Sequence, residues 1–205
     1  MDTPVDAKAV ERAAVVVRAG GVLVYPTETV YGIGCDPANA EAVARVRTIK
    51  GRDAAKPMLA ITDRWGRVMS WIAGLTDAHR ALMQHEPPLP VTIVFDASED
   101  APPGLVSPQG GIGIRRTTDP FCRALVAAAD TPVLSTSANR AGRPPVARFA
   151  HLDAAVLDAV DSSVDAGHDL GGTPSTVVRV ADSDLVVLRE GAVDAAEFHR
   201  IVAAS

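Results

Sequence analysis

Cysteine is nearly absent from this chain of 205 residues. Cys35 and Cys122 stand far apart and form no CxxC pair, so neither a disulfide framework nor a zinc site is indicated, and a reducing, cytoplasmic setting fits. Aromatic residues make up 4% of the sequence, which leaves little for stacking on nucleobases. No apolar run is long enough to cross a bilayer. The N-terminal stretch MDTPVDAKAVERAAVVVRAGG carries acidic residues where a secretory signal would carry basic ones, so no membrane association is expected. Positive charge is not in excess either: a formal net charge of -5 argues against coating of nucleic acid, which draws its affinity from many cationic contacts to phosphate. Several familiar motifs are missing as well. There is no P-loop signature, neither GIGCDP nor GGIGIRR completes GxGxxG, and neither HExxH nor GxSxG occurs. The five histidines are scattered without ligand spacing and read as surface or capping residues.

With 47% hydrophobic residues and no linker, repeat or low-complexity segment, the sequence reads as one globular domain over 1–205. Val10, Ala13, Ala14 and Val17 recur at helical spacing between Asp6 and Ala19, and Gly20-Gly21 stops that helix before an apolar strand, Val22 to Tyr25. Asn39 caps a second helix that ends at Lys50-Gly51-Arg52. Strands are expected at 58–62, 91–95, 111–115, 132–136, 175–180 and 185–189, and helices from Thr76 to Gln84, Asp119 to Ala129, Leu152 to Val160 and from Asp194 onward. Helices and strands alternate, but some strands follow one another directly. The fold class is therefore α/β with a mixed sheet. Met58, Met69 and Met83 read as core filler, Trp65 and Trp71 as packing of a short helical segment, and Cys35 as a buried structural thiol.

Three polar sets sit at strand ends, where open α/β sheets receive ligands: PTET after the first strand, STSAN after PVL, and Arg115 in GIGIR. Taken singly, each is as well explained by turns and caps. KGR places Lys50 and Arg52 two apart, so in an extended loop both cations leave one face and suit a polyphosphate, although a helix C-terminus favours cations in any case. SANRAGRPP adds Ser137 and Asn139, again two apart, with Arg140 and Arg143 nearby. Hydroxyl, amide and backbone N–H groups in such a loop can cradle an anion.

PTETVYGIGCDP, IKGR followed by KPMLAI, GIGIR, STSANRAGRPP, PSTVV and VLREGA occur in the order found in YrdC-like threonylcarbamoyl-AMP synthases, a resemblance that runs from about Gly20 to Ala192. The chain resembles the short, single-domain form. The resemblance implies a twisted open mixed sheet flanked by helices, the YrdC-like (RibB-like) fold, and one reaction: L-threonine, bicarbonate and ATP give L-threonylcarbamoyladenylate and pyrophosphate, with magnesium accompanying the ATP. The product would pass to transferase proteins that modify an adenosine in tRNA. By the family pattern Lys50, Arg52, Ser137 and Asn139 contact the triphosphate, with Lys50 and Arg52 as the catalytic cations. Thr136 and Arg189 lie on the nucleotide side; Arg115 takes the threonine carboxylate, with Thr27 and Ser175 near the substrate's other polar atoms.

One departure stands out. Where the family commonly has Trp-Pro-Gly-Pro-Leu-Thr, this chain has Pro87-Pro88-Leu89-Pro90-Val91-Thr92, which implies an altered pocket wall. Two other readings compete. A sister group has PTDSGY in the first motif and lacks KxR and SxN, whereas PTET, Lys50, Arg52 and Asn139 favour the synthase. The second is a YrdC-fold RNA-binding protein without synthase activity, which would use a concave basic face; an acidic chain poor in aromatics leaves room for no more than weak RNA binding.

Overall fold

Asp6, Asn39, Thr76 and Asp119 each begin a helix by accepting a backbone N–H that the helix itself leaves unpaired. In the computed structural model, which describes residues 5–51, 58–86, 88–181 and 184–203, the elements run α1 (Ala7–Arg18), β1 (Leu23–Tyr25), β2 (Gly32–Cys35), α2 (Ala40–Lys50) and β3 (Leu59–Thr62). Two 3-10 turns follow, Trp65–Arg67 and Met69–Trp71, then β4 (Ile72–Ala73), α3 (Asp77–Gln84), β5 (Val91–Ala97), β6 (Gly111–Arg116), α4 (Pro120–Ala129) and β7 (Val133–Ser137). A 3-10 turn at Phe149–His151 leads to α5 (Ala154–Leu157), β8 (Ser162–Ser163), β9 (Thr176–Ala181), β10 (Asp184–Arg189) and α6 (Ala195–Ala203).

The strands form one mixed sheet in the order β10-β9-β5-β6-β3-β7-β2-β1-β8, with β4 on β5. The β3–β6, β5–β9 and β1–β8 pairs are parallel and the others antiparallel. Each face of the sheet has its own core. On one, Ala13, Ala14 and Val17 of α1 and Phe121, Leu125 and Val126 of α4 pack on Leu23, Tyr25, Ile61 and Val133. On the other, Val43 and Val46 of α2, Leu82 of α3 and Phe198 of α6 cover Val24, Ile33, Ala60, Ile93, Ile114 and Leu134. Alternation along each strand divides the residues between the two.

Four features differ from the sequence expectations. No strand was expected at 32–35, yet β2 is a fully buried strand between β1 and β7. Gly34 is required there: a Cβ on it would lie 2.2 Å from the Leu134 carbonyl oxygen of the neighbouring strand. The helix expected at Leu152 to Val160 shrinks to α5 and the preceding 3-10 turn. Met69 is exposed and not core, whereas Met58 and Met83 are buried. Finally, Lys50 is the last residue of α2, not part of an extended loop; Gly51 caps the helix in the left-handed conformation at φ 58°. Of the histidines, His79 is both a capping residue and buried, its Nδ1 accepting from Thr76 N and its ring stacked on Phe95.

Candidate active site

Strand register gathers the polar sets onto one face. Gly34 of β2 pairs with Ser135 of β7, Ser135 with Leu59 of β3, Leu59 with Gly113 of β6, Gly113 with Val94 of β5 and Val94 with Arg179 of β9. Gly32 opposite Ser137 flanks this row on one side, and Ile61 opposite Arg115 flanks it on the other. This is the face that α1 and α4 cover further along. Where they stop, the small side chains leave a cavity of about 540 Å³, within the range of small-molecule sites. Thr27, Arg115, Thr136, Ser137, Ser175 and Arg189 all border it.

The loop after β1 is organised by Thr27. Its hydroxyl donates to Val30 O (2.7 Å), accepts from Thr29 N (3.1 Å) and Val30 N (3.3 Å), and lies 3.0 Å from Thr29 Oγ1. One proton and two lone pairs are thereby committed. Thr27 borders the cavity, but its hydroxyl holds the turn; its methyl group faces Gly32, 3.4 Å from where a Cβ would sit. Arg115, 4% exposed, donates from Nη1 to Thr29 Oγ1 (3.3 Å), and its Nε lies 3.4 Å from Glu28 Oε1.

At the β9 end, Ser175 Oγ lies 3.0 Å from Thr92 Oγ1 and accepts from Arg189 Nη2 (3.2 Å), which also donates to Ser175 O (2.6 Å). Thr92 is the only described residue of the altered run, 88–92, on the cavity wall. Pro88, Leu89 and Val91 line a separate, far smaller hollow beside Trp65. Pro87, which stands where the family has tryptophan, lies outside the described residues.

Lys50 stands behind the rim of the cavity. Buried to 3% exposure, its ammonium donates to Ser137 O and Asn139 O (2.7 Å), pinning the STSAN loop to the end of α2. Ala141 N reinforces the junction by donating to Lys50 O (2.8 Å). Asn139 donates from its amide to Arg140 O (3.2 Å) and to Arg143 O, holding the same loop, while its Oδ1 is buried without a partner. Arg140 and Arg143 are exposed. Arg52 lies outside the described residues.

Residues to which the sequence reading gave no individual role also border the cavity: Thr29, Tyr31, Thr92 and Ser135. Tyr25 donates to Ser135 Oγ (2.7 Å) from a fully buried position, where desolvation pushes its own pKa above the ordinary phenol value. Strand alternation could have found Ser135, since it shares a pleat with Ser137, whereas Thr136 belongs to the opposite one beside Ile33. Neither thiol is poised as a nucleophile. Burial, and secondarily Asp36, pushes Cys35 up to about 12; burial, then the charges of Asp119 and Glu28, raises Cys122. Among the described residues no three His, Cys, Asp or Glu side chains gather as a metal cluster.

Comparison with known proteins places this arrangement. The sequence model of the family Sua5_yciO_yrdC, described as telomere recombination, matches residues 15–191. A Thiobacillus denitrificans protein named threonylcarbamoyl-AMP synthase is 38% identical over 175 residues, covering 82% of this chain and 89% of that one. A Nitrosococcus oceani protein of the same name is 38% identical over 136 residues, 66% of this chain and 74% of that one. Among solved structures, E. coli YciO superposes with a TM-score of 0.85 at 27% identity, covering 96% of this chain and 95% of that one. P. abyssi Sua5 complexed with L-threonine superposes at 0.89 with 24% identity, which speaks to fold alone; it covers 97% of this chain, which spans 58% of that longer one.

Proposed function

The chain belongs to the Sua5/YciO/YrdC family, and from that membership we propose that it is a threonylcarbamoyl-AMP synthase, joining L-threonine, carbon dioxide drawn from bicarbonate, and ATP into L-threonylcarbamoyladenylate with release of pyrophosphate. The observation that carries the reading is the single cavity bordered at once by a buried arginine, Arg115, by the Ser175–Arg189 pair and by the STSAN rim that Lys50 braces. A buried cation suits the amino-acid carboxylate, because an unpaired carboxylate would not enter such a site.

The threonine amine takes up carbon dioxide and loses a proton to become a carbamate. A carbamate oxygen then bonds to the α-phosphorus of ATP as the bond to the pyrophosphate oxygen breaks. No protein nucleophile is needed, in keeping with two buried thiols. The chain's work is to hold two anions together against their repulsion and to stabilise charge on the leaving group. Arg115 would hold the carboxylate, and Ser137 the triphosphate from a loop fixed by Lys50 and Asn139. Thr136 and Arg189 would meet the nucleotide, Arg189 also orienting Ser175. Arg52 would bring its cation to the triphosphate. Hydroxyl side chains such as Ser135 and Ser137 line this rim, and hard oxygen groups suit magnesium carried in on the phosphates as part of the substrate. Thr27 would contribute shape through its methyl group and its turn.

The product would serve transferase proteins that modify adenosine in tRNA, in the cytoplasm; among the described residues no helix is long and apolar enough to cross a membrane. The test is direct. The purified chain, given ATP, magnesium, bicarbonate and labelled L-threonine, should yield a labelled adenylate and an equal amount of pyrophosphate. Pyrophosphate release indifferent to threonine would sink the reading.

A further inference from the structure

Resting on the reading of Arg115 as the carboxylate receptor, we infer that Glu28 is a positioning residue for L-threonine: it holds the Arg115 guanidinium by its Nε side and leaves the terminal nitrogens to the substrate. Glu28 is absent from the cavity wall, so it acts through the arginine and not on the ligand. Its Oε1 lies 3.4 Å from Arg115 Nε, and each of these buried atoms lacks any hydrogen bond. Two facing, buried, oppositely charged atoms without other partners are uncommon in a native interior. Their attraction is what fixes the plane of the guanidinium.

The other ends of the pair are tied down. Thr117, buried at the end of β6, donates from Oγ1 to Glu28 Oε2 (2.9 Å), so the carboxylate cannot turn away. Across the guanidinium, Nη1 reaches Thr29 Oγ1 (3.3 Å), which itself borders the cavity. The chain Thr117–Glu28–Arg115–Thr29 thus ends at the substrate's edge. An arginine fork grips a carboxylate by two parallel bonds only when its plane is set in advance. Without Glu28 the guanidinium would be a buried charge lacking a counter-ion, and it would leave its 4% exposed position for water.

The experiment compares L-threonine with L-threoninol, which lacks the carboxylate, by calorimetry on the full chain, alongside KM values for threonine and ATP. In Glu28→Gln, threonine affinity should fall by about tenfold or more, the loss expected when a charge-assisted contact goes, while threoninol binding and the KM for ATP stay within about twofold. The preference for threonine over threoninol shrinks accordingly. Thr117→Val, which frees only Oε2, should show the same change in smaller measure, and it decides the matter if Glu28→Gln does not fold. A folded Glu28→Gln or Thr117→Val with the wild-type preference would overturn the inference. So would tighter threonine binding, which would make Glu28 a competitor of the substrate. Arg115→Gln is the reference: if it keeps the preference, the carboxylate reading itself fails and the role of Glu28 fails with it, whereas loss there with no change in the Glu28 and Thr117 variants removes only the latter.

Discussion

Lys50 holds two carbonyl oxygens of the STSAN loop while standing at the C-terminal end of α2, where its charge also complements the helix dipole. Replacing it therefore has two effects that a solvated lysine would not have. Lys50→Ala strands the carbonyls it serves and should lower stability by about 1.5–3 kcal/mol, the worth of hydrogen bonds to a charged group. Because the same loop presents Ser137, turnover should fall roughly 30-fold to almost a thousand-fold. Thermal melts beside pyrophosphate release check both; an unchanged melt would show that the carbonyl contacts contribute nothing. The thiols offer a second residue-scale prediction. With Cys35 pushed up to about 12, on the order of one thiol in ten thousand is ionised at pH 8, and Cys122 is buried and raised as well. Native protein should resist iodoacetamide, with both cysteines reacting once guanidinium unfolds it. Rapid labelling of either in the folded state would contradict this burial.

Asp161 works at the scale of elements. Its carboxylate accepts from Arg45 of α2 (2.8 and 3.2 Å) and from Val22 N (2.7 Å), clamping a helix, the entry to β1 and the approach to β8. Arg45's hydrogen bond, then Val22 N–H, holds its pKa below the ordinary carboxylate range. A folded-state value depressed in this way gives stability that is present above the unfolded value of about 3.9 and is lost as pH falls through the folded one. Asp161→Asn should therefore melt below wild type at pH 7, and the two curves should converge as pH falls below about 4; a constant gap would rule out this linkage. The elements that the sequence announced are those with local signals. α1, α3 and α4 carry their caps in sequence, and β5, β6, β9 and β10 read as apolar runs. Nothing local announces β2, since its glycines matter only because β7 lies within 2.2 Å of a would-be Cβ. The Asp161 clamp joins residues 116 apart in sequence and was equally invisible.

For the molecule as a whole, the site residues legible in sequence were those in motifs, whereas the division of labour among them was not. PTET pointed to Thr27, but the turn absorbs its hydroxyl; Ser135, which accepts from Tyr25 and keeps its own proton, is one of the cavity hydroxyls that would be left to pair with a substrate hydroxyl. Substrate choice should follow. Serine loses a methyl, about 1–3 kcal/mol, or roughly 10- to 200-fold in kcat/KM. Valine keeps the shape and leaves that buried polar group unpaired, a larger penalty. The expected order is threonine, serine, valine, and valine equal to or better than serine would show that the cavity reads shape alone. The cross-strand row from Gly34 to Arg179 has a temporal consequence too. No single segment of the chain holds the site, because its lining comes from strands spread along the sequence, and Val94 must find Arg179, 85 residues further on. Pairings of such long range close slowly. On refolding, synthase activity should thus appear in one step with the last phase of near-ultraviolet signal, and activity that returned before that phase would mean that the pocket can assemble without its floor.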